Sequence, residues 1–434
     1  MREVLMTGSE ILVACEKVST EAEVTGINRW YKSLEFTPVN TTPGSGRRTG
    51  WGLRMIRNGK IGVSGEWGMI DPFRLVDKVI GSCRYGPAAL FSFPEESPES
   101  EKTITDDLTA ITHDTVYTYL NSLQARIKEI HPLAALSARI QWGKDSFAIM
   151  NSRSLRGSYS KTTVLTSLWI TLPSDTGLLQ SGYSLNTTDS LPAMNDVLDM
   201  LLLPIHAERF DSLSAAGRKK VVFSPMAFSL LLQAVRAGVS GKLLGEGASP
   251  LAGSEGKQVL SNMLTIRDLP RLNSGVSSAP FDSEGIPTRD KTLFEDGIFT
   301  GFLHDLGSAA ECKAESTGSS GRNLGEHSKP VCTNLTVDPS VNGSVNTLEE
   351  TGSGILVTSI LSAGGGNAAS GNFTLDCGRV YLFRRGEILG YYDGCVLSGN
   401  VYDTLSRVTA IGSRQYRSGT DLLPFISLDG ISIR

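Results

Sequence analysis

The sequence predicts an α+β protein of two domains. A sheet with helices on one face spans residues 1–190, and a β-rich domain holding a β-barrel or sandwich spans 191–434. Three observations carry this prediction. The chain has 434 residues, more than one core organises, since cores stop growing near roughly 250–300 residues. Strand-like and helix-like segments of the first half do not alternate one by one, which is the α+β pattern and not βαβ. The last hundred residues break into short β-prone runs with Gly-rich turns, as barrels and sandwiches do.

Residues 51–64 (WGLRMIRNGKIGVS) carry Asn58-Gly59 at their centre, a type I′ hairpin signal. In 71–80, Asp71 is an N-cap, Pro72 sits at the first helical position, and apolar residues follow at helical spacing. Residues 117–129 predict a second amphipathic helix. Residues 137–149 and 161–172 predict antiparallel strands joined by a turn-rich 151–160. From 173 to 192 the composition shifts to Ser, Thr, Asn, Gly and Pro, predicting an exposed crossing between domains. A helix over 193–214, kinked at Pro204, comes next. The strand Val221-Val222-Phe223 leads through Ser224-Pro225 into a helix ending near Ala237. Residues 238–345 are rich in Gly, Ser, Pro and Asn. Short strands are predicted at 354–360, 372–376, 379–384 and 387–392, with a hairpin at Arg384-Arg385-Gly386-Glu387.

Composition narrows the function. A formal charge of −4 predicts no strong attraction to nucleic acid or anionic lipid. No apolar run reaches the ~18–20 residues that span a bilayer. The charged opening MREVLMTGSEILVACEKVS is unlike a signal peptide, so a cytoplasmic address is expected. Six cysteines at 15, 83, 312, 332, 377 and 395 form no C-x-x-C pair and read as reduced thiols. There is no H-E-x-x-H, G-x-S-x-G, Walker A or G-x-G-x-x-G motif. Gly364-Gly365-Gly366 precedes no helix pattern, so it predicts no phosphate cradle. Asp106-Asp107 and Glu349-Glu350 are sequence neighbours that point in different directions, as solvated surface does. Arg218-Lys219-Lys220 is too short for a nucleic-acid footprint. His304, Cys312, His327 and Cys332 suit zinc by type. Their spacing matches no tight ligand pair, and they read as unrelated loop and core residues.

One segment is specific. Residues 275–305, GVSSAPFDSEGIPTRDKTLFEDGIFTGFLHD, resemble the signature of the TldD/PmbA family. Gly318–Asn323 resembles that family's Thr-Gly-Asn-Ala-Arg block, reading G-S-S-G-R-N, and Cys332-Thr333-Asn334-Leu335 its Pro-Thr-Asn-Leu. Ser370-Gly371-Asn372-Phe373 and Leu397-Ser398-Gly399-Asn400 resemble later elements, and the 51–64 hairpin resembles its Gly-x-Arg-x-Ile-x-Asp-Gly-Arg-Ile-Gly. The resemblance implies proteolysis of peptides or unfolded segments by a TldD–TldE heterodimer. In TldD, an H-E-x-x-x-H helix and a late cysteine hold zinc, which polarises a carbonyl and acidifies a water while the glutamate acts as base.

The matching helix here reads L-Q-A-V-R-A from Leu232 to Ala237. Leu232 and Ala237 replace the histidines, Gln233 replaces the glutamate, and no cysteine follows Cys395. Neither leucine nor alanine has a lone pair, and glutamine takes no proton near neutrality. The expectation is therefore a non-catalytic TldE/PmbA-like subunit with no cofactor of its own. Zinc would sit in a TldD-like partner, or the chain would form a homodimer; the substrate would be peptide or unfolded polypeptide. The alternatives are an autonomous TldD-like metallopeptidase with an unrecognised metal site, and a nucleic-acid or gyrase-linked regulator. Candidate substrate-channel residues are Ser277, Ser278, Asp282, Arg322, Asn323 and Asn334, near main-chain edges that could hold a peptide by strand addition. Turn and domain-interface chemistry is the favoured reading for most of them.

Overall fold

The structure, a computed structural model, describes residues 2–98, 108–174, 177–202, 208–210, 220–341, 346–363 and 368–434. Asp106-Asp107, Pro204, Arg218-Lys219 and Gly364-Gly365-Gly366 lie outside the described residues.

The α+β expectation holds. The first half forms one antiparallel sheet from β1 (Glu21–Phe36), β2 (Thr41–Arg57), β3 (Lys60–Trp67), β4 (Ala135–Asn151), β5 (Arg156–Ser174) and β6 (Gly177–Thr187), in the order β3-β2-β1-β4-β5-β6. Four helices cover one face: α1 (Arg2–Cys15), α2 (Pro72–Cys83), α3 (His113–Ile130) and α4 (Met194–Leu202). Ile11, Leu75 and Val79 pack on Val24, Leu53 and Met55; Val116, Leu120 and Val197 pack on Leu34, Ile140 and Leu168. In register these strand residues share one side of the pleat, so these four helices leave the opposite face uncovered.

Local signals place most of these elements. Asn58 and Gly59 both have positive φ, 51° and 71°, as a type I′ turn requires. Asp71 caps α2 by accepting from the Phe73 amide. The expected helix at 117–129 starts earlier, at His113, behind a Thr112 capping box. Three expectations are corrected. Arg156–Ser160 is strand and not turn, because it pairs with Ser146–Met150. Residues 173–192 do not simply cross between domains: Gly177–Thr187 is edge strand β6, with Leu179, Tyr183 and Leu185 alternating onto the helix-covered face. The helix expected to run to 214 ends at Leu202, and Glu208–Arg209 is a strand, recruited by Gly390 and Tyr391.

The second half contains β7 (Glu208–Arg209), β8 (Lys220–Phe223), β9 (Ile266–Asp268), β10 (Lys291–Glu295), β11 (Ile298–Phe299), β12 (Ser320–Gly321), β13 (Lys329–Pro330) and β14 (Leu335–Val337). It continues with β15 (Ser353–Val357), β16 (Ser362–Ala363), β17 (Asn372–Arg384), β18 (Glu387–Asn400), β19 (Val408–Ser418), β20 (Asp421–Leu428) and β21 (Ser432–Ile433). Its helices are short: α5 (Pro225–Leu231), α6 (Gln233–Gly238), α7 (Gly241–Gly245), α8 (Leu306–Cys312), α9 (Thr347–Thr351) and α10 (Val401–Leu405). Among the described residues, thirteen of these strands form one mixed sheet, and β12 pairs only β13. The main core gathers Phe223, Phe228, Leu232, Ile266, Phe294, Leu335, Ile355, Leu397 and Ile426 from across that sheet and from α5. The runs expected at 372–376 and 379–384 are one strand, bulged where Gly378 takes φ 58°. Arg385 and Gly386, at φ 52° and 84°, close the expected hairpin with β18. Among the described residues no helix is long and apolar enough to cross a membrane.

The second half docks on the face of the first sheet that α1 to α4 leave uncovered. Leu324 lies over Gly50 and Gly52, and Gly325 over Gly65. A Cβ on Gly65 would sit 2.5 Å from the Gly325 amide nitrogen, so the backbones meet where only glycine fits.

A cavity between the two sheets as the candidate functional site

The segment 275–288 is built by its own polar side chains. Asp282 Oδ1 accepts the amides of Glu284 (2.9 Å) and Ile286 (3.1 Å), and Oδ2 accepts that of Ser320 (2.9 Å). Asn334 donates to the Leu269 carbonyl (2.7 Å) and Ser278 Oγ (3.1 Å) and accepts from the Ser277 amide (3.2 Å). Ser278 Oγ donates to the Leu272 carbonyl at 2.8 Å. Phe281 leaves the segment to pack on Tyr159 and Phe147 of the first sheet, with ring centroids 5.2 and 6.1 Å away.

Two residues past Asp282, Glu284 enters a buried charge network joining the halves of the chain. Arg54 Nη1 donates to Glu284 Oε1 at 2.6 Å and to Ser328 Oγ at 2.9 Å, and its Nη2 lies 3.1 Å from Glu23 Oε1. Arg322 Nη2 reaches the same Glu23 oxygen at 2.5 Å. Glu284 Oε2 accepts the Leu306 amide at 2.9 Å. Both glutamates are fully buried, and the side chains of Arg54 and Arg322 are 3% and 8% exposed. Two cations and two anions cancel, which is what allows such groups to be buried. Burial opposes the Arg54 charge, but Glu23 and Glu284 outweigh it and push its pKa up.

A cavity of about 370 Å³ lies between β1, β4 and β5 on one side and residues 277–288, 318–322 and 331–333 on the other. A second hollow of about 340 Å³ continues along the sheet past Tyr31, Gln141 and Thr163, sharing Arg29, Asp145, Lys161 and Ser277 with the first. Arg29, Asp145 and Lys161 are register partners on adjacent strands, so they form a row across the floor. Arg29 Nε lies 3.3 Å from Asp145 Oδ2, and Lys161 Nζ donates to the Ser278 carbonyl at 3.3 Å. Burial lowers the Lys161 pKa to about 8, with Asp145 opposing. Burial also raises Asp145, and burial together with the Glu284 charge pushes Asp282 up to about 7.

Of the residues singled out in the sequence, Ser277, Asp282 and Arg322 line this cavity. Ser278 and Asn334 stand behind its wall, their side chains engaged in the segment itself. Asn323 does not line it; its amide donates to Glu326 at 3.0 Å. Sequence reasoning missed Arg29, Asp145 and Lys161, whose face is set by strand register, and Glu23, Arg54 and Glu284. Arg54 does stand in the resembling Gly-x-Arg-x-Ile element, which was the available signal.

The helix at 225–238 is two short helices, α5 and α6, joined at Leu232. Ser224 caps the first through the Ala227 amide. Leu232 is fully buried in the core, and Gln233 is exposed. Between the substituted positions, Arg236 Nη2 bonds Asp421 Oδ1 at 2.5 Å, and Ser229 Oγ bonds Oδ2 at 2.6 Å. With a hydrocarbon at Leu232 and at Ala237, these residues do not fit the zinc that the resemblance implies for a catalytic relative. His304 and Cys312 both pack near Gly241, while His327 lines a separate cavity beside Arg54 and Cys332 lines the cavity floored by Lys161. Among the described residues no three His, Cys, Asp or Glu side chains are grouped to hold a metal ion.

The geometry thus defines an α+β protein built on two large sheets, with a ligand-sized cavity where its two halves meet. The PmbA/TldA metallopeptidase C-terminal domain matches residues 216–434, and the chain belongs to the PmbA/TldD family. It is 26% identical over 297 residues to the Metalloprotease PmbA homolog of Buchnera aphidicola, covering 65% of this chain and 63% of that protein. It is 30% identical over 185 residues to Metalloprotease PmbA of Escherichia coli O157:H7, covering 42% of this chain and 39% of that one. These matches span less than two thirds of the curated relatives' own lengths. TldE from Thermococcus kodakarensis has the same fold, with a TM-score of 0.85 at 18% identity, covering 98% of this chain and 99% of that chain.

Proposed function

We propose that this chain is a non-catalytic TldE/PmbA-type subunit of a TldD/TldE-type metalloprotease, acting in the cytoplasm on peptides or unfolded polypeptide. Its inter-domain cavity holds the polypeptide, and a TldD-like partner supplies the zinc. The observation that carries this reading is Leu232, which fills the hydrophobic core at the position of a metal-binding histidine, beside an exposed Gln233 in place of the base. Relatives named for both TldD and PmbA, and the fold shared with TldE, support the pairing. A homodimer is the alternative assembly.

The test is metal analysis and digestion of an unfolded casein. The chain alone is expected to hold well below one zinc and to cut nothing, while a complex reconstituted with a TldD-like chain holds zinc and cuts. Stoichiometric zinc on the isolated chain, or cleavage by it, would overturn the reading. The relatives' printed names as metalloproteases favour a second reading, a peptidase in its own right, and that outcome would support it.

A further inference from the structure

We propose that Lys161, backed by Arg29, is a carboxylate-holding subsite on the cavity floor that anchors the C-terminal carboxylate of a bound peptide. The inference rests on the peptide-holding reading above and names the end of the peptide that the cavity takes.

The argument starts from charge. Along the row Arg29, Asp145, Lys161, two cations face one anion, so the row keeps a net charge of +1 where the two hollows meet. Asp145 spends Oδ2 on Arg29 at 3.3 Å. An ammonium has three N–H donors. Lys161 gives one to the Ser278 carbonyl at 3.3 Å, which leaves two for a ligand. The row is flanked on the cavity side by Tyr159 and Ser277, whose hydroxyls can meet a second oxygen. The buried Arg54 network cannot serve, because its two cations are already matched by Glu23 and Glu284.

Geometry sets the role of each cation. Adjacent strands lie about 4.8 Å apart, so Arg29 and Lys161 stand roughly 10 Å apart at the backbone with Asp145 between them. Lys161 makes the direct contact. Arg29, half exposed and tied to Asp145, keeps that carboxylate from neutralising the lysine. Phe147 and Phe281 wall the same cavity and offer the last residue an apolar surface.

The probe is an N-terminally fluorescein-labelled decapeptide of glycine, serine and alanine, titrated against the full chain by anisotropy. It is made as the free acid, as the C-terminal amide, and as an amide ending in glutamate. The acid is expected to bind at least tenfold tighter than the plain amide. K161M brings the acid down to the amide's affinity, and K161R, which keeps the charge, retains most of the difference. If the glutamate amide recovers the tenfold, the subsite takes a side-chain carboxylate as well; if not, it reads the chain terminus. The acid's advantage shrinks as pH rises through about 8, where Lys161 loses its proton beside Asp145 and Arg29, with Tyr159 and Asp282 lining the same cavity. Equal binding of acid and amide, or equal weakening of both by K161M, overturns the subsite and leaves the peptide-holding reading standing. Failure of every peptide to bind at millimolar concentration overturns both.

Discussion

Replacing Arg54 by methionine removes the cation that links the two halves of the chain. Glu23 keeps Arg322 at 2.5 Å, so one anion stays paired. Glu284 keeps the Leu306 amide at 2.9 Å but loses its direct ion pair, leaving Arg322, which is paired to Glu23, as a more distant cation. Breaking a buried pair from one side costs about 3–5 kcal/mol, because the remaining charge is uncompensated. Loss of the Arg54 guanidinium from above the Phe93 ring, 4.7 Å away, adds roughly 0.5–1 kcal/mol. R54M is therefore expected to cost about 4 kcal/mol. R54M/E284M, which removes both charges, should recover more than half of that. All five tryptophans, at 30, 51, 67, 142 and 169, lie in the first sheet, so urea unfolding followed by their fluorescence reports on that half alone. Circular dichroism reports on both halves. In the wild type the two transitions should coincide; in R54M they should separate, since cooperativity between the halves runs through this network. The exposed Arg139–Glu35 pair is the reference, and R139M should change stability by no more than about 0.5 kcal/mol. A loss below about 1 kcal/mol for R54M, or strict additivity with E284M, would refute the reasoning.

Three further outcomes follow from packing. G65A forces a Cβ to within 2.5 Å of the Gly325 amide nitrogen, against backbone that cannot rotate away. It should destabilise by about 1–3 kcal/mol and expose residues 318–326 to limited proteolysis. G81A, in the exposed run of α2 with open space around the new methyl, should instead stabilise by about 0.5–1 kcal/mol in the same urea assay. L232H puts an imidazole into the core without the other ligands. It should cost about 2–4 kcal/mol and give no zinc binding by calorimetry at micromolar metal, and tight zinc binding would show that a hidden ligand set exists.

How far the sequence reached depended on whether a residue's fate is decided locally. Asn58-Gly59 and Arg385-Gly386 specify their turns by backbone freedom alone, and Asp71-Pro72 and Ser224-Pro225 specify helix starts by capping, so these were legible. Strand β6 was not, because Ser181, Ser184, Asn186 and Thr187 give it a loop's composition. Its period-two set of Leu179, Tyr183 and Leu185 has meaning only once β5 lies beside it. Glu208 and Arg209 continue a helical pattern until Gly390 and Tyr391 recruit them. The site divides the same way. Asp282 was legible as a turn former, whereas Glu284 meets Arg54 across 230 residues, a pairing no local pattern announces. Lys161 and Asp145 read as ordinary strand polar residues until register aligns them with Arg29.

Three residues within one short run, Phe281, Asp282 and Glu284, place the cavity wall by three different means. Phe281 presses on the aromatic pair Phe147 and Tyr159, which fixes the segment's height above the sheet. Asp282 folds the segment on itself and ties it to Ser320, so residues 277–288 and 318–322 move as one piece. Glu284 then holds that piece to the first sheet through Arg54, beside the glycine floor where Leu324 docks. A wall held by packing, turn chemistry and a buried ion pair has little freedom left to lose. A ligand entering the cavity therefore orders few protein groups, and ordering would otherwise consume about 0.5–1.5 kcal/mol per immobilised side chain. On the proposed peptide-holding role, such preorganisation is what would let a weakly complementary, sequence-indifferent guest such as an extended peptide bind at all. It also means that disrupting Arg54, which does not itself line the cavity beside Lys161, should weaken peptide binding.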